Sequence, residues 1–321
     1  MIPLAEINAP IATHHNAKPF LFLKRLAFLL AILLLATEAG IRLGRLVDVP
    51  TYTVNDQIGF MINPSQSGNF LNKNHWVFNN RSMGVAARWN PTERPNLLLI
   101  GNSIVMGGNP YDQPNKLGPL LQQRIGSAYA VWPIAVGGWT NVNETVYLQN
   151  NPDVASAANF FVWEYMRGGL SDLSRWRGDY IWPRHRPLCA TWYVFRRYLW
   201  PHLAAVNMSE LPPIGATNPV YLHQFAAEVE TLSKTTKRAT PGIILLYPVK
   251  ADYIAFKQGI EWLPERAKIE KICADNHLVL VDVSRSPLWN ENLYRGGTHP
   301  TAEGNAILAR ILSAAIRANL P

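Results

Sequence analysis

Beyond residue 95, short apolar runs alternate with stretches of helical periodicity. Asn96–Gly101 (NLLLIG), Ala130–Ala135 (AVWPIA), Asn159–Trp163 (NFFVW), Gly242–Tyr247 (GIILLY) and Val279–Asp282 (VLVD) have the length of strands. They are near-continuous in apolar character rather than alternating, the mark of strands covered on both faces. Helices are predicted over Asn115–Ile125, Asn141–Gln149, Pro219–Lys237, Leu263–Asn276 and Ala302–Ala318. Strands alternating with helices predict an α/β fold, a three-layer sandwich around a central parallel five-stranded sheet. In such sheets chemistry gathers in the loops at the carboxyl ends of the strands.

The first ninety-five residues follow other rules. Leu26–Leu35 (LAFLLAILLL) is wholly apolar and follows Lys18, Lys24 and Arg25. Extending it through Leu43 reaches the ~20 residues of a membrane span but encloses Glu38, with Arg42 four residues on as a partner. The segment reads either as an uncleaved signal anchor or as a signal peptide cut near Thr37-Glu38-Ala39. The charge at Glu38 and the missing small-x-small site favour the anchor. The expected organisation is a cytoplasmic leader (1–25), an N-terminal transmembrane helix (26–45), a lead-in rich in Asn, Pro, Gly and Ser (46–95), and the α/β domain (96–321). The expected location is the inner, cytoplasmic membrane, single-pass, with the catalytic domain on the periplasmic, extracytoplasmic side. The lead-in is expected to pack over the domain and to hold a short hairpin.

One stretch interrupts the alternation. An insertion at about 165–217 carries nine aromatic residues and seven arginines between Tyr165 and Trp200. Guanidinium groups beside aromatic faces suit sugar rings and anionic groups, while a packing lid with solvated arginines fits the same composition. The whole chain has 321 residues, 48% hydrophobic content and a net charge of +8, so it is globular and compatible with anionic surfaces. It lacks zinc-finger, helix-turn-helix and RNA-recognition patterns, and no nucleic-acid partner is expected. The two cysteines, Cys189 and Cys273, lack metal-type spacing, so neither a metal nor another cofactor is expected.

Three loops hold candidate chemistry. The first strand runs into Gly101-Asn102-Ser103-Ile104-Val105-Met106-Gly107-Gly108, which presents a serine as a nucleophile or as a plain helix cap. After the second strand, Gly137-Gly138-Trp139-Thr140-Asn141 offers either a backbone N–H to a reacting carbonyl or a simple turn. Near the C-terminus, Gly296-Gly297-Thr298-His299-Pro300 sets a histidine in a glycine-rich loop, as a general base for Ser103 or as a histidine at a helix start.

Taken together, these three loops resemble the SGNH (GDSL-type) hydrolase superfamily, over Asn96 to the C-terminus. Gly101-Asn102-Ser103 is similar to the family's Gly-Asp-Ser block, Gly138 to its oxyanion glycine, and His299-Pro300 to the end of its Asp-x-x-His-Pro block. The resemblance implies Ser103 as nucleophile, His299 as base, and an SGNH/flavodoxin-like sheet. Gly138 would supply an oxyanion donor, with Asn102 and Asn141 as side-chain donors. Two departures stand out. Gly296 and Gly297 occupy the positions where an acid would orient the histidine, leaving Asp282 and Glu291 as substitutes. The family's asparagine after the third strand is also missing from Trp163-Glu164-Tyr165-Met166. Membrane-anchored members imply an ester hydrolase or O-acetyltransferase acting on an acylated carbohydrate, with envelope polysaccharide-assembly proteins as partners. The alternative is a non-catalytic, SGNH-like glycan-binding component of an envelope polysaccharide export or modification complex.

Overall fold

The computed structural model describes residues 17–204 and 215–319. Most of the expected leader, the stretch 205–214 of the insertion and the last two residues lie outside them. Strands β5 (Asn96–Gly101), β6 (Ala130–Ala135), β7 (Ala158–Tyr165), β8 (Gly242–Leu246) and β9 (Val279–Asp282) form one parallel sheet in the order β6-β5-β7-β8-β9. Every residue of β5, β6 and β8 is buried, as their unbroken apolar character requires. Helices α3 (Leu117–Ile125) and α11 (Ala302–Asn319) pack together on one face. Helices α4 (Asn141–Asn150) and α8 (Pro219–Thr236) cover the other, and α10 (Arg266–Asp275) lies beside α8.

This is the doubly wound order in which the first strand lies between the second and the third. Successive crossovers leave β5 and β7 towards opposite faces, so their carboxyl ends flank an open crevice. Ser103 begins α2 (Ser103–Met106) directly after β5 and therefore stands in that crevice.

The lead-in forms two antiparallel hairpins rather than one, β1–β2 (Tyr52–Asn55 with Gly59–Ile62) and β3–β4 (Gln66–Phe70 with Asn74–Phe78). They are pinned over the sheet's carboxyl end. Phe60 stacks on Trp182 at 4.1 Å, and the Trp139 indole donates to the Phe60 carbonyl at 2.8 Å. The expected helices are present within a few residues of their predicted ends. Helices α5 (Pro152–Ala155) and α9 (Lys250–Lys257) were not expected, and neither were the turns of α6 (Ala190–Val194), a π-helical segment Phe195–Leu199 and α7 (Trp200–Leu203) in the insertion.

Helix α1 (Ala17–Leu43) starts well before the predicted boundary at 26, because Phe20–Leu23 prolong the apolar run. Phe20–Leu43, whose most apolar eighteen residues have a mean hydropathy of 2.2, is long and apolar enough to cross a membrane. At 1.5 Å per residue its 24 residues span ~36 Å, against ~30 Å of hydrocarbon. Glu38 pairs with Arg42 as the spacing predicted, and both also reach into the insertion. The Glu38 carboxylate accepts the N–H groups of Ala190 (2.9 Å) and Thr191 (2.8 Å), capping α6. Arg42 donates to the carbonyls of Pro187 and Leu188.

The interior strands of the sheet dominate stability. Truncating fully buried Leu99 removes side-chain contacts on a strand paired on both edges. Leu99→Ala is expected to lose about 2–5 kcal/mol, read from the shift in the urea unfolding midpoint.

Candidate active site

Ser103 sits at the first position of α2 and is nearly buried. Its turn is fixed from both sides. The Asn102 side chain accepts the Ile104 N–H at 2.9 Å, and the Gly107 N–H closes on the Ser103 carbonyl at 2.9 Å. His299 arrives from the other end of the chain on the short strand β11 (His299–Pro300), paired with β10 (Tyr294–Arg295). Its loop is held at several points. Tyr247 donates its hydroxyl to the Thr298 carbonyl at 2.9 Å, the Lys250 N–H bonds the Gly297 carbonyl at 2.8 Å, and the Tyr111 hydroxyl bonds the Pro300 carbonyl. Burial keeps the Tyr247 phenol protonated far above its usual range, so it stays a donor. The result is a contact of 3.0 Å between His299 Nε2 and Ser103 Oγ. That is the reach a base needs to take the hydroxyl proton.

Gly138 lies after β6 with φ of 91°, a conformation that suits glycine. Among the described residues, neither its N–H nor that of Ser103 is taken by a protein acceptor, so both are available to a developing oxyanion. The two asparagines considered as further donors are spent elsewhere. Asn102 Nδ2 donates to Glu164 Oε1 (3.4 Å) and Met166 Sδ (3.2 Å). Asn141 Nδ2 donates to Glu144 Oε2 and to the Glu164 carbonyl, both at 2.7 Å. They build the floor of the site and do not serve as oxyanion donors.

The substitutes for an orienting acid are also engaged elsewhere. Asp282 ends β9, separated from β5 by β7 and β8, roughly 14 Å across the sheet. Its carboxylate is bound by Arg266 at 2.8 Å and caps the turn at Ser284. Glu291 is exposed in the first turn of a short 3₁₀ segment, Glu291–Leu293. The structure does not bring either to the imidazole. Gly296, three residues before His299, makes a left-handed turn with φ of 64°.

Sequence reasoning missed Glu164. It lies fully buried at the end of β7, beside the nucleophile turn, and accepts the Asn102 N–H at 3.2 Å. A single acid within the apolar run NFFVWEYM was the available signal, since buried carboxylates are rare without a partner. Desolvation raises its pKa well above the usual carboxylate value of 4.5. Glu144 on α4 is raised too, first by burial and then by the charge of Glu164, although Trp163 and Asn141 donate to it. The pair holds the end of β7, α4 and the nucleophile turn together with little net charge.

Around Ser103 and His299 opens a cleft of about 560 Å³. Its walls include Tyr52, Phe70, Tyr111, Trp182, Arg197 and Arg295. Arg197 is anchored by donating to the carbonyls of Tyr180 and Ile181, both at 2.7 Å. Among the described residues, no group of three or more His, Cys, Asp or Glu side chains is placed to hold a metal ion.

No protein-family model matches the chain, and no curated protein sequence matches it. Solved structures similar to it include a psychrotrophic esterase from Pseudoalteromonas sp. (10% identity, 70% of this chain and 97% of that one, TM-score 0.41). Others are a lipase/acylhydrolase from Enterococcus faecalis (14% identity, 71% and 97%, TM-score 0.42) and a carbohydrate acetylesterase from Sinorhizobium meliloti (12% identity, 71% and 100%, TM-score 0.40). At these identities the assignment of chemistry rests on the geometry of the site itself.

The buried acids give stability a definite pH dependence. Folded Glu164 and Glu144 hold protons that their unfolded forms release above pH 4.5, so the native state binds more protons and loses stability as pH rises from there. Each raised carboxyl contributes up to about 1.4 kcal/mol per pH unit until its folded pKa is passed. Glu164→Gln is expected to flatten this slope, seen as a smaller fall in Tm between about pH 5 and about pH 8 than in the wild type.

Proposed function

We propose that this protein is a serine-dependent acyl-ester hydrolase or O-acyltransferase of the SGNH type, with Ser103 as nucleophile and His299 as general base. The 3.0 Å contact between Ser103 Oγ and His299 Nε2, at the rim of an open cleft, carries this reading. Ser103 Oγ bonds to the acyl carbonyl carbon as its proton passes to His299 Nε2. The carbonyl oxygen becomes an oxyanion facing the N–H groups of Ser103 and Gly138. Collapse expels the alcohol, which takes the proton from His299, and leaves an acyl-serine. Water or an acceptor hydroxyl then gives its proton to His299 and attacks the acyl carbon, returning Ser103 to its hydroxyl form.

The substrate class we favour is an acetylated extracytoplasmic polysaccharide. The cleft's aromatic walls and two arginines suit sugar rings and their anionic substituents. We also read α1 as a retained single-pass anchor, with the catalytic domain on the periplasmic side and envelope polysaccharide-assembly proteins as neighbours. Supporting retention, a cut near Ala39 would separate Glu38 from both Arg42 and the insertion turn that it caps.

Ser103→Ala is expected to abolish labelling by a fluorophosphonate probe and to lower aryl-acetate turnover by ~10³-fold or more, with His299→Ala comparably impaired. A wild-type chain as inert as Ser103→Ala in both assays would replace this reading with that of a glycan-binding domain.

A further inference from the structure

Outside α1, ten large apolar side chains are exposed among the described residues, and six of them fall between Leu188 and Leu203. Leu188 is 99% exposed, Trp192 58%, Leu199 54% and Leu203 72%. Trp192, Leu199 and Leu203 lie on the successive turns of α6, the π-helical segment and α7, and Leu188 stands two residues before α6. The opposite side is committed to the protein, where Ala190 and Tyr193 are buried against Val47 and Val49. The segment is therefore amphipathic, with one face bound to the lead-in and one apolar face uncovered.

Its position is not arbitrary. Glu38 caps α6, and Arg42 holds the carbonyls of Pro187 and Leu188, so Leu188 is fixed beside the last turn of α1. The hairpin tip is tied to the same end. Asn72 donates to the Leu43 carbonyl at 2.7 Å, and the Leu71 N–H bonds the Arg45 carbonyl. Cations flank this level: Arg45 and Arg186 have half-exposed or largely exposed side chains, and Arg196 lies over the rings of Tyr180 and Trp192. Tryptophan and tyrosine beside arginine, next to the end of an apolar helix, is the composition of a membrane–water boundary.

We propose that Leu188–Leu203 is a second membrane-contacting element, lying in the headgroup layer of an anionic bilayer beside α1. This rests on the reading of α1 as a retained anchor. Arg197 and Tyr198 belong to the same turns and line the cleft that holds Ser103 and His299. The rim of the active site is thereby set at the bilayer surface, and acyl esters presented at that surface are its substrates.

The test uses the full chain in nanodiscs of phosphatidylethanolamine and phosphatidylglycerol. Spin labels are placed singly by Leu188→Cys, Leu203→Cys, Leu29→Cys and Lys271→Cys in a Cys189→Ser background, since Cys273 is buried. Leu29 lies within α1, and Lys271 lies on the exposed side of α10. Collision with oxygen and with a water-soluble nickel chelate is measured at each site. At 188 and 203 the ratio of oxygen to nickel collisions is expected to be several-fold above that at 271 and below that at 29. Labels at 188 and 203 that match 271, with 29 still oxygen-favoured, would overturn the proposal and leave the anchor standing. A nickel-accessible label at 29 would remove the anchor itself. Protection of 188 and 203 from both reagents would mean that protein covers this face, which also overturns the proposal.

Discussion

A hydroxyl and an imidazole separated by 196 residues of chain meet at 3.0 Å, and the architecture is what makes that meeting possible. The parallel sheet places the end of β5 at the point where its crossovers diverge. That leaves room above Ser103 which a neighbouring connection would otherwise fill. Helix α11 packs on α3, the helix that follows the nucleophile turn, so the loop before α11 is delivered to the same place. Three tyrosines then hold that delivery: Tyr247 and Tyr111 bond the His299 loop, and Tyr294 bonds the Pro248 carbonyl beneath it. Tyr247 and Tyr294 are aromatic bodies in the core with their polar tips on backbone carbonyls, and Tyr111 is half-buried at the cleft wall.

Beneath Ser103 the arrangement is more costly. Two carboxyls are enclosed and held by Asn102, Asn141 and the Trp163 indole, with no salt bridge to either among the described residues. Burying ionised acids there would be costly, and raised pKa values are the way the fold lowers that cost. In return, the Asn102 backbone and side chain are both fastened, and the hydroxyl that follows them gains a fixed direction. The asparagines of this region act as struts between backbone segments, a role their position after glycine-rich loops did not reveal.

Much of this was readable from the sequence because it was local. Uninterrupted runs such as NLLLIG and GIILL mark doubly covered strands, and the amphipathic helices between them fix the parallel arrangement. Ser103 and His299 stood out by their loops. What escaped notice depends on long-range pairing. Helix α9 is short and starts with polar residues, and the turns of 190–203 take their order from Glu38, about 150 positions away. Asp282 looked available at a strand end, yet across the sheet it meets Arg266, a partner that strand spacing does not disclose. Glu164 was visible as an acid in an apolar run. Its contact with Asn102 was not, because that contact requires β7 to lie beside β5.

The placement of His299 between β10 and α11 has a consequence for biogenesis. The serine turn emerges from the ribosome 196 residues ahead of the imidazole. Throughout synthesis the serine turn exists without its counterpart, and contacts of such long sequence separation are slow to close. The Ser103–His299 contact thus waits on the docking of α11, the helix that follows the imidazole loop.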